Sequence, residues 1–267
     1  MKKYCMLFLS LLLCAFQGTN TPRDKALESL AEAERHFSAA SKAKGLHQAF
    51  VENMAPDGLV FAPGPVNGRK LHAAAPASKA LLTWYPVYAD ISSSLDWGYT
   101  TGPYQLLANP DDGKVTGAGF YLSVWKKQQD GTWQVAVDMG NSFSPDLLKE
   151  EAYLAAESSG KQGKGDLQDL LQKDVQKVQP YHEETLVYRA GKYPYRYTEA
   201  SVEPAASITY TTLGHDISPA QDMAYTYGSY TRKDNGKGET GHYLKVWKVL
   251  DGQWQLVAHN LVPDKKQ

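Results

Sequence analysis

Gly119-Phe-Tyr-Leu-Ser-Val-Trp-Lys-Lys-Gln-Gln-Asp-Gly-Thr-Trp-Gln-Val-Ala-Val-Asp138 returns, one residue shorter, as Gly241-His-Tyr-Leu-Lys-Val-Trp-Lys-Val-Leu-Asp-Gly-Gln-Trp-Gln-Leu-Val-Ala-His259. Two further blocks repeat in the same order. Gly98-Tyr-Thr-Thr-Gly-Pro-Tyr104 pairs with Ala224-Tyr-Thr-Tyr-Gly-Ser-Tyr230, and Gly58-Leu-Val-Phe61 pairs with Thr185-Leu-Val-Tyr188. The offset falls from 127 residues (Gly58 to Thr185) to 121 (Asp138 to His259). A period this long, present only twice, describes a doubled domain and not a solenoid. Within each copy, apolar and polar residues alternate around Asp130-Gly131 and Asp251-Gly252, the pattern of antiparallel hairpins closed by tight turns.

Helical periodicity precedes the strands. In residues 24–43, Leu27, Leu30, Ala31, Ala33, Phe37 and Ala40 fall roughly on one face, which predicts an amphipathic helix. Gly45 breaks it, residues 46–54 predict a second helix, and residues 77–84 a third, stopped by Pro86. The second copy predicts helices over 146–157 and 166–178, shorter and more charged, with a solvated Gly/Ser/Lys connection at 158–165. Helices first and antiparallel strands afterwards give an α+β fold with helices on one face of a curved sheet. The expected organisation is a signal peptide at 1–18, a first domain at 22–145 and a second at 146–267.

Lys2 and Lys3 followed by an apolar run from Met6 to Phe16 read as a signal peptide, too short for a bilayer span of about 20 residues. Export to the periplasm or the exterior follows. Lipidation at Cys14 is the alternative, disfavoured because Leu13 stands where a small residue is required, and an uncleaved anchor is the third option. The chain has 267 residues, with 28 Lys+Arg against 29 Asp+Glu. That balance removes the electrostatic basis for nucleic-acid binding. Only Cys5 and Cys14 are present, so disulfide scaffolds, thiolate metal clusters and a cysteine nucleophile are excluded downstream of them.

Ala33-Glu-Arg-His-Phe37, Gly45-Leu-His-Gln-Ala-Phe50, Asp57-Gly-Leu-Val-Phe61, the run Leu95 to Tyr104, and Val124-Trp-Lys-Lys127 with Gly131-Thr-Trp-Gln-Val135 resemble the NTF2-like superfamily. More narrowly they resemble its exported DUF4440/SnoaL-like group. The resemblance covers the first copy almost throughout and the second from Leu186 onward. It implies about three helices laid in a strongly bent antiparallel sheet, a pocket at the open end, and pairing of sheet against sheet. In a tandem chain that pairing is expected within one molecule, and a homodimer is a further option. The family hosts isomerases, cyclases, dehydratases and binding modules, so the fold selects no reaction. Relatives often flank the last strand's Asp with histidines; here the flanking residues are Val137 and Met139, and in the second copy Ala258 and Asn260 around His259.

Asp138 is the candidate catalytic residue. It shares strand parity with Gln134 and Ala136, opposite Trp133, Val135 and Val137. In a pocket its pKa would rise, and it could act as acid or base; at a strand end it would only accept hydrogen bonds. His259 is the matching titratable group. Tyr99, Tyr121 and Trp125, with Tyr225, Tyr243 and Trp247, form aromatic stripes that suit a pocket, a core or a contact between copies. Trp84 and Tyr85, with Tyr88, suit a pocket rim. The histidines show no metal-ligand spacing, the Gly236–Gly241 run enters a strand and lacks the helix a dinucleotide requires, and no nucleophile elbow occurs; neither metal nor cofactor is expected. Three readings follow: a module binding a small, partly apolar ligand, a ketosteroid-isomerase-like enzyme using Asp138, or a structural pseudo-dimer with filled cones.

Overall fold

The computed structural model describes residues 21–157, 163–198, 208–234 and 237–264. The expected signal peptide, Cys14 included, and most of the 158–165 connection lie outside the described residues. The first half opens with helix α1 (Pro22–Lys44). Thr21 and Asp24 cap it reciprocally, Thr21 Oγ1 accepting from Asp24 N while Asp24 accepts from Thr21 N at 2.9 Å, and Pro22 suits the first helical position. Gly45, at φ +90°, turns the chain into α2 (Leu46–Asn53). Strands β1 (Met54–Phe61) and β2 (Pro65–Asn67) lead to α3 (Gly68–Ala73), which Asn67 caps. Then come β3 (Leu81–Trp84), β4 (Tyr88–Ile91), β5 (Trp97–Leu107), β6 (Gly117–Lys127), β7 (Trp133–Phe143) and β8 (Leu154–Ala155). The second half holds α4 (Leu167–Asp174), β9 (Tyr181–Arg189), β10 (Tyr195–Arg196), β11 (Ile208–Ile217), β12 (Met223–Asp234), β13 (Lys237–Leu250) and β14 (Gln253–Pro263).

One sheet runs β2-β1-β7-β6-β5-β4-β8, with β3 also on β5, and the other runs β10-β9-β14-β13-β12-β11. The two share strand order and sense. β1 lies parallel to β7 as β9 does to β14, and the hairpins are antiparallel. Even the bulges coincide, between Val124 and Trp125 in one sheet and Val246 and Trp247 in the other. The broken edge of β3 and β4 matches the single strand β11: Trp84 faces Tyr104 as Tyr210 faces Tyr230, and Asp90 faces Tyr99 as Asp216 faces Tyr225. The hairpins are antiparallel as expected, and parallel pairs join β1 to β7, β4 to β8 and β9 to β14.

Three helical expectations change. Residues 77–84 form no helix: Leu81–Trp84 instead pairs with β5, a long-range partner that local periodicity does not report. The third helix is Gly68–Ala73. Residues 146–157 hold a 3₁₀ turn (Pro145–Leu147) and β8, which lies parallel to β4. Leu154 N and Ala156 N donate to Val87 O and Ala89 O at 2.8 and 2.9 Å, satisfying edge carbonyls of the first sheet. Among the described residues the second half keeps one helix, α4, capped by Asp166.

The sheets pack face to face. Phe120, Leu122, Val124, Val137 and Met139 share one core with Leu244, Val246, Val257 and Ala258, and Trp97 stacks on Tyr225 at 5.7 Å. Polar groups pin this interface: Asn141 Nδ2 donates to Asn260 Oδ1 at 3.0 Å, Tyr188 OH to Thr101 Oγ1 at 2.9 Å, and buried Lys248 pairs with Asp90 at 2.6 Å. The opposite face of the first sheet packs on α1 and α2 through Leu30, Phe37, Phe50, Trp125 and Val135. Among the described residues no helix is long and apolar enough to cross a membrane.

Candidate functional site

Between the first half's helices and its sheet lies a cavity of about 230 Å³, walled by Phe37, Phe50, Leu82, Trp84, Tyr104 and Tyr121 and bearing Glu34, Ser123 and Asp138. The bulge puts Asp138 there. Trp125 is opposite Val135, and Val124 is opposite Val137, so Ala136 is the extra residue. Parity flips across it: Trp133 and Val135 join the helix-side core, while Val137 and Met139 face the second sheet. Asp138 therefore points to the helix side. Strict alternation from Gln134 and Ala136 misses this, because it assumes an unbroken pleat.

Asp138 Oδ1 accepts from Ser123 Oγ at 2.7 Å. Burial raises its pKa to about 6, the Ser123 bond opposing the shift. Glu34, which sequence reasoning did not single out, is the second carboxyl. It is fully buried on the inner face of α1, between Leu30 and Phe37. Its oxygens accept from the Trp84 indole, from Thr100 Oγ1 at 2.5 Å and from Trp125 Nε1 at 3.1 Å. Burial raises its pKa to about 7, the donors oppose, and the charge of Asp138 adds to the rise. The signal was present in the sequence: Glu34 stands four residues after Leu30 and three before Phe37, inside the apolar stripe. Among the described residues no ion pair joins either carboxyl to a cation. The Tyr121 hydroxyl is buried and makes no hydrogen bond of normal geometry, Thr100 engaging it only loosely, and its pKa lies well above 10.

Of the other residues singled out from sequence, Trp84 and Tyr121 line this cavity with Asp138. Trp125 lies behind it, donating to Glu34 and, at 2.9 Å, to Thr100 Oγ1. Tyr85 is more exposed, outside the cavity in a neighbouring groove. Tyr99 and Tyr225 face the other way. They stand opposite Val124 and Val246 and belong to the core between the sheets, so the stripes drawn through Tyr99 and Tyr121 divide between two faces.

Tyr243, Trp247 and His259 occupy the second half's interior, where nearly every position has its match. Trp247 Nε1 donates to Thr226 Oγ1 at 2.8 Å, and Thr226 Oγ1 donates to Asp174 at 2.7 Å, as Trp125, Thr100 and Glu34 do. Tyr243 OH reaches the same carboxylate at 2.6 Å. Lys245, opposite His259 as Ser123 is opposite Asp138, sends its ammonium to Asp174 Oδ1 at 3.1 Å and to Asp174 O at 2.6 Å. Both side chains are fully buried. Burial lowers the Lys245 pKa to about 8, against the pull of Asp174. Burial, with Arg189 and Lys245 nearby, drives the His259 pKa well below 6.5, so the ring is neutral; its Nδ1 lies 2.7 Å from Tyr181 OH. Among the described residues no three His, Cys, Asp or Glu side chains gather as a metal site.

No family model matches the chain, and no curated protein matches it. Solved structures do. The chain is similar to a ketosteroid isomerase-like protein from Erwinia carotovora atroseptica, with 18% identity over 46% of this chain and 99% of that one, TM-score 0.35. It is also similar to an NTF2-like protein with a cystatin-like fold from Novosphingobium aromaticivorans, with 11% identity over 49% and 95%, TM-score 0.37. A function-unknown protein from Mycobacterium tuberculosis matches at 17% identity over 47% and 78%, TM-score 0.39. The first half of this chain has the arrangement expected from its sequence, three helices against one face of a sheet with a cavity between.

Proposed function

We propose that this chain binds a small, partly apolar molecule in the first half's cone, its second half being a closed counterpart that arose by duplication. The carrying observation is the cavity of about 230 Å³ that places two buried carboxyls among aromatic walls. It is slightly smaller than the roughly 300–1,000 Å³ usual for ligand pockets, which suits a compact ligand. Native mass spectrometry of the purified protein tests this. One compound retained reproducibly by the wild type, and lost in a cavity-filling Ser123→Met variant, is expected; no retained compound, and no effect of Ser123→Met on added small ligands, would remove the proposal. The N-terminal segment makes the protein an exported one in this reading, which N-terminal sequencing of the mature chain checks.

A second reading is favoured by Asp138 itself. A carboxylate with a pKa near 6 beside a cavity suits proton transfer near neutrality. As base it would take a proton from carbon next to a carbonyl, with Tyr121 or protonated Glu34 donating to the carbonyl oxygen. Deuterium exchange into small ketones in heavy water, followed by NMR, checks this. Loss in Asp138→Asn supports catalysis, and equal exchange in both proteins ends it.

A further inference from the structure

We infer that the first half's cavity takes a small organic cation, an amine whose charged head sits against Glu34 and Asp138 where the second half places the Lys245 ammonium. The inference rests on reading that cavity as a binding site and names its ligand class. Its basis is internal to the molecule: the second half shows what the shared framework holds when it is full. Lys245 Nζ lies 3.7 Å from the Tyr210 ring centroid and 4.5 Å from that of Tyr243, with Asp174 as counter-ion. Aromatic faces and a carboxylate around one ammonium are the elements of a cation site. In the first half the same positions are Trp84, Tyr121 and Glu34, so the rings and the acid are retained. The lysine is not. Ser123 stands in its place, and shortening that side chain leaves space where the ammonium would be.

The charge has also been rearranged in a consistent direction. Where the second half has neutral His259, the first has Asp138, a second carboxyl facing the cavity. The second half thus sets its carboxylate against the Lys245 ammonium, with Arg189 also close to His259, while among the described residues the first sets two carboxyls together with no ion-paired cation. Three hydrogen-bond donors on Glu34 favour its anion, yet burial and Asp138 oppose ionisation. A cation entering between them would relieve both penalties and expel protons, with Tyr104 and Tyr121 remaining neutral on the facing strands.

Benzylammonium and benzyl alcohol, nearly equal in shape, separate charge from apolar fit in isothermal titration at pH 6.5. Benzylammonium is expected to bind at least about tenfold more tightly, the range a desolvated cation–aromatic contact with a carboxylate spans. Proton release into the buffer should accompany it, and Glu34→Gln and Asp138→Asn should weaken only the amine. Equal or tighter binding of the alcohol overturns the cation assignment and leaves the cavity reading intact. A ligand-free arm tests the cation alone: Ser123→Lys should have a higher Tm than Ser123→Met, and the reverse order overturns the inference. If neither probe binds while Ser123→Lys is the more stable, the ligand reading fails and the cation preference stands.

Discussion

The two halves build one framework and fill it differently. In both, an indole donates to a threonine, the threonine to an acid carried on a helix, and a bulge turns the last strand's polar residue inward. The difference is one long side chain and one charge. Lys245 fills the second interior and neutralises Asp174; Ser123 leaves the first open, and Asp138 adds an anion. Strand order and packing between sheets are indifferent to this exchange, because it lies on the faces turned away from the shared core. What the contrast teaches is that the fold supplies the polar triad for its own stability, and the cavity arises by subtracting a plug from it.

Breaking the plug should give the largest effect. Asp174→Ala removes the acceptor of Thr212, Thr226, Tyr243 and Lys245 and strands a buried ammonium, a loss of about 3–5 kcal/mol by the usual cost of unpairing a buried ion pair. Urea unfolding measures it. Adding Lys245→Met should recover part of the loss, since the remaining interior is then neutral; a cost below about 1 kcal/mol for Asp174→Ala would mean that the ion pair does not hold this half together.

pH sharpens the same contrast. Glu34 and Asp138 have folded-state pKa values raised to about 7 and about 6, so between pH 4 and 7 the folded chain binds more protons than the unfolded one. Their contribution to stability is complete below the unfolded pKa and falls as pH rises through that window, by roughly 2–3 kcal/mol for Glu34. Lys245 runs the other way: its pKa is lowered to about 8, the unfolded chain binds more protons above that, and stability rises from pH 8 toward 10. His72 and His259, both lowered, oppose the carboxyls in the acidic window. The measurement is therefore the difference between wild type and a Glu34→Gln/Asp138→Asn variant, and separately Lys245→Met. A difference that stays flat from pH 4 to 7 would mean the carboxyls are not held in a dry site.

Much of this was legible before the structure. The hairpins, the doubled blocks, the first two helices and the helix-then-sheet order follow from periodicity, because alternation and the 3.6-residue stripe report burial directly. The failures share a physical origin. Parity failed at Ala136, since one inserted residue exchanges the faces of everything beyond it. Residues 146–157 carry a helical composition, yet their backbone is recruited by the open edge of β4, a long-range demand no local window contains. Glu34 and Asp174 escape a sequence reading because acids on a helix read as solvent-facing; only the donors gathered around them, from strands 38 to 91 residues away, make burial tolerable.

The smallest expected effect is also the most discriminating. Tyr121 and Tyr243 are matching phenols on matching strands, both buried. Tyr243 OH is tied to Asp174 at 2.6 Å, so Tyr243→Phe should cost about 1.5–3 kcal/mol, the range for a hydrogen bond to a charged group. Tyr121 OH makes no hydrogen bond of normal geometry and borders the cavity. Phe fills the same volume without a polar atom to desolvate, so Tyr121→Phe should leave the denaturation midpoint within about 0.5 kcal/mol of wild type. Structural demand therefore does not account for a phenol at position 121. Under the proposed binding role, its worth should be seen in ligand affinity, where the hydroxyl would find a better partner than its loose contact with Thr100. A Tyr121→Phe variant as destabilised as Tyr243→Phe would show the first interior to be as fully committed to its own packing as the second, and the distinction between an open half and a closed one would go.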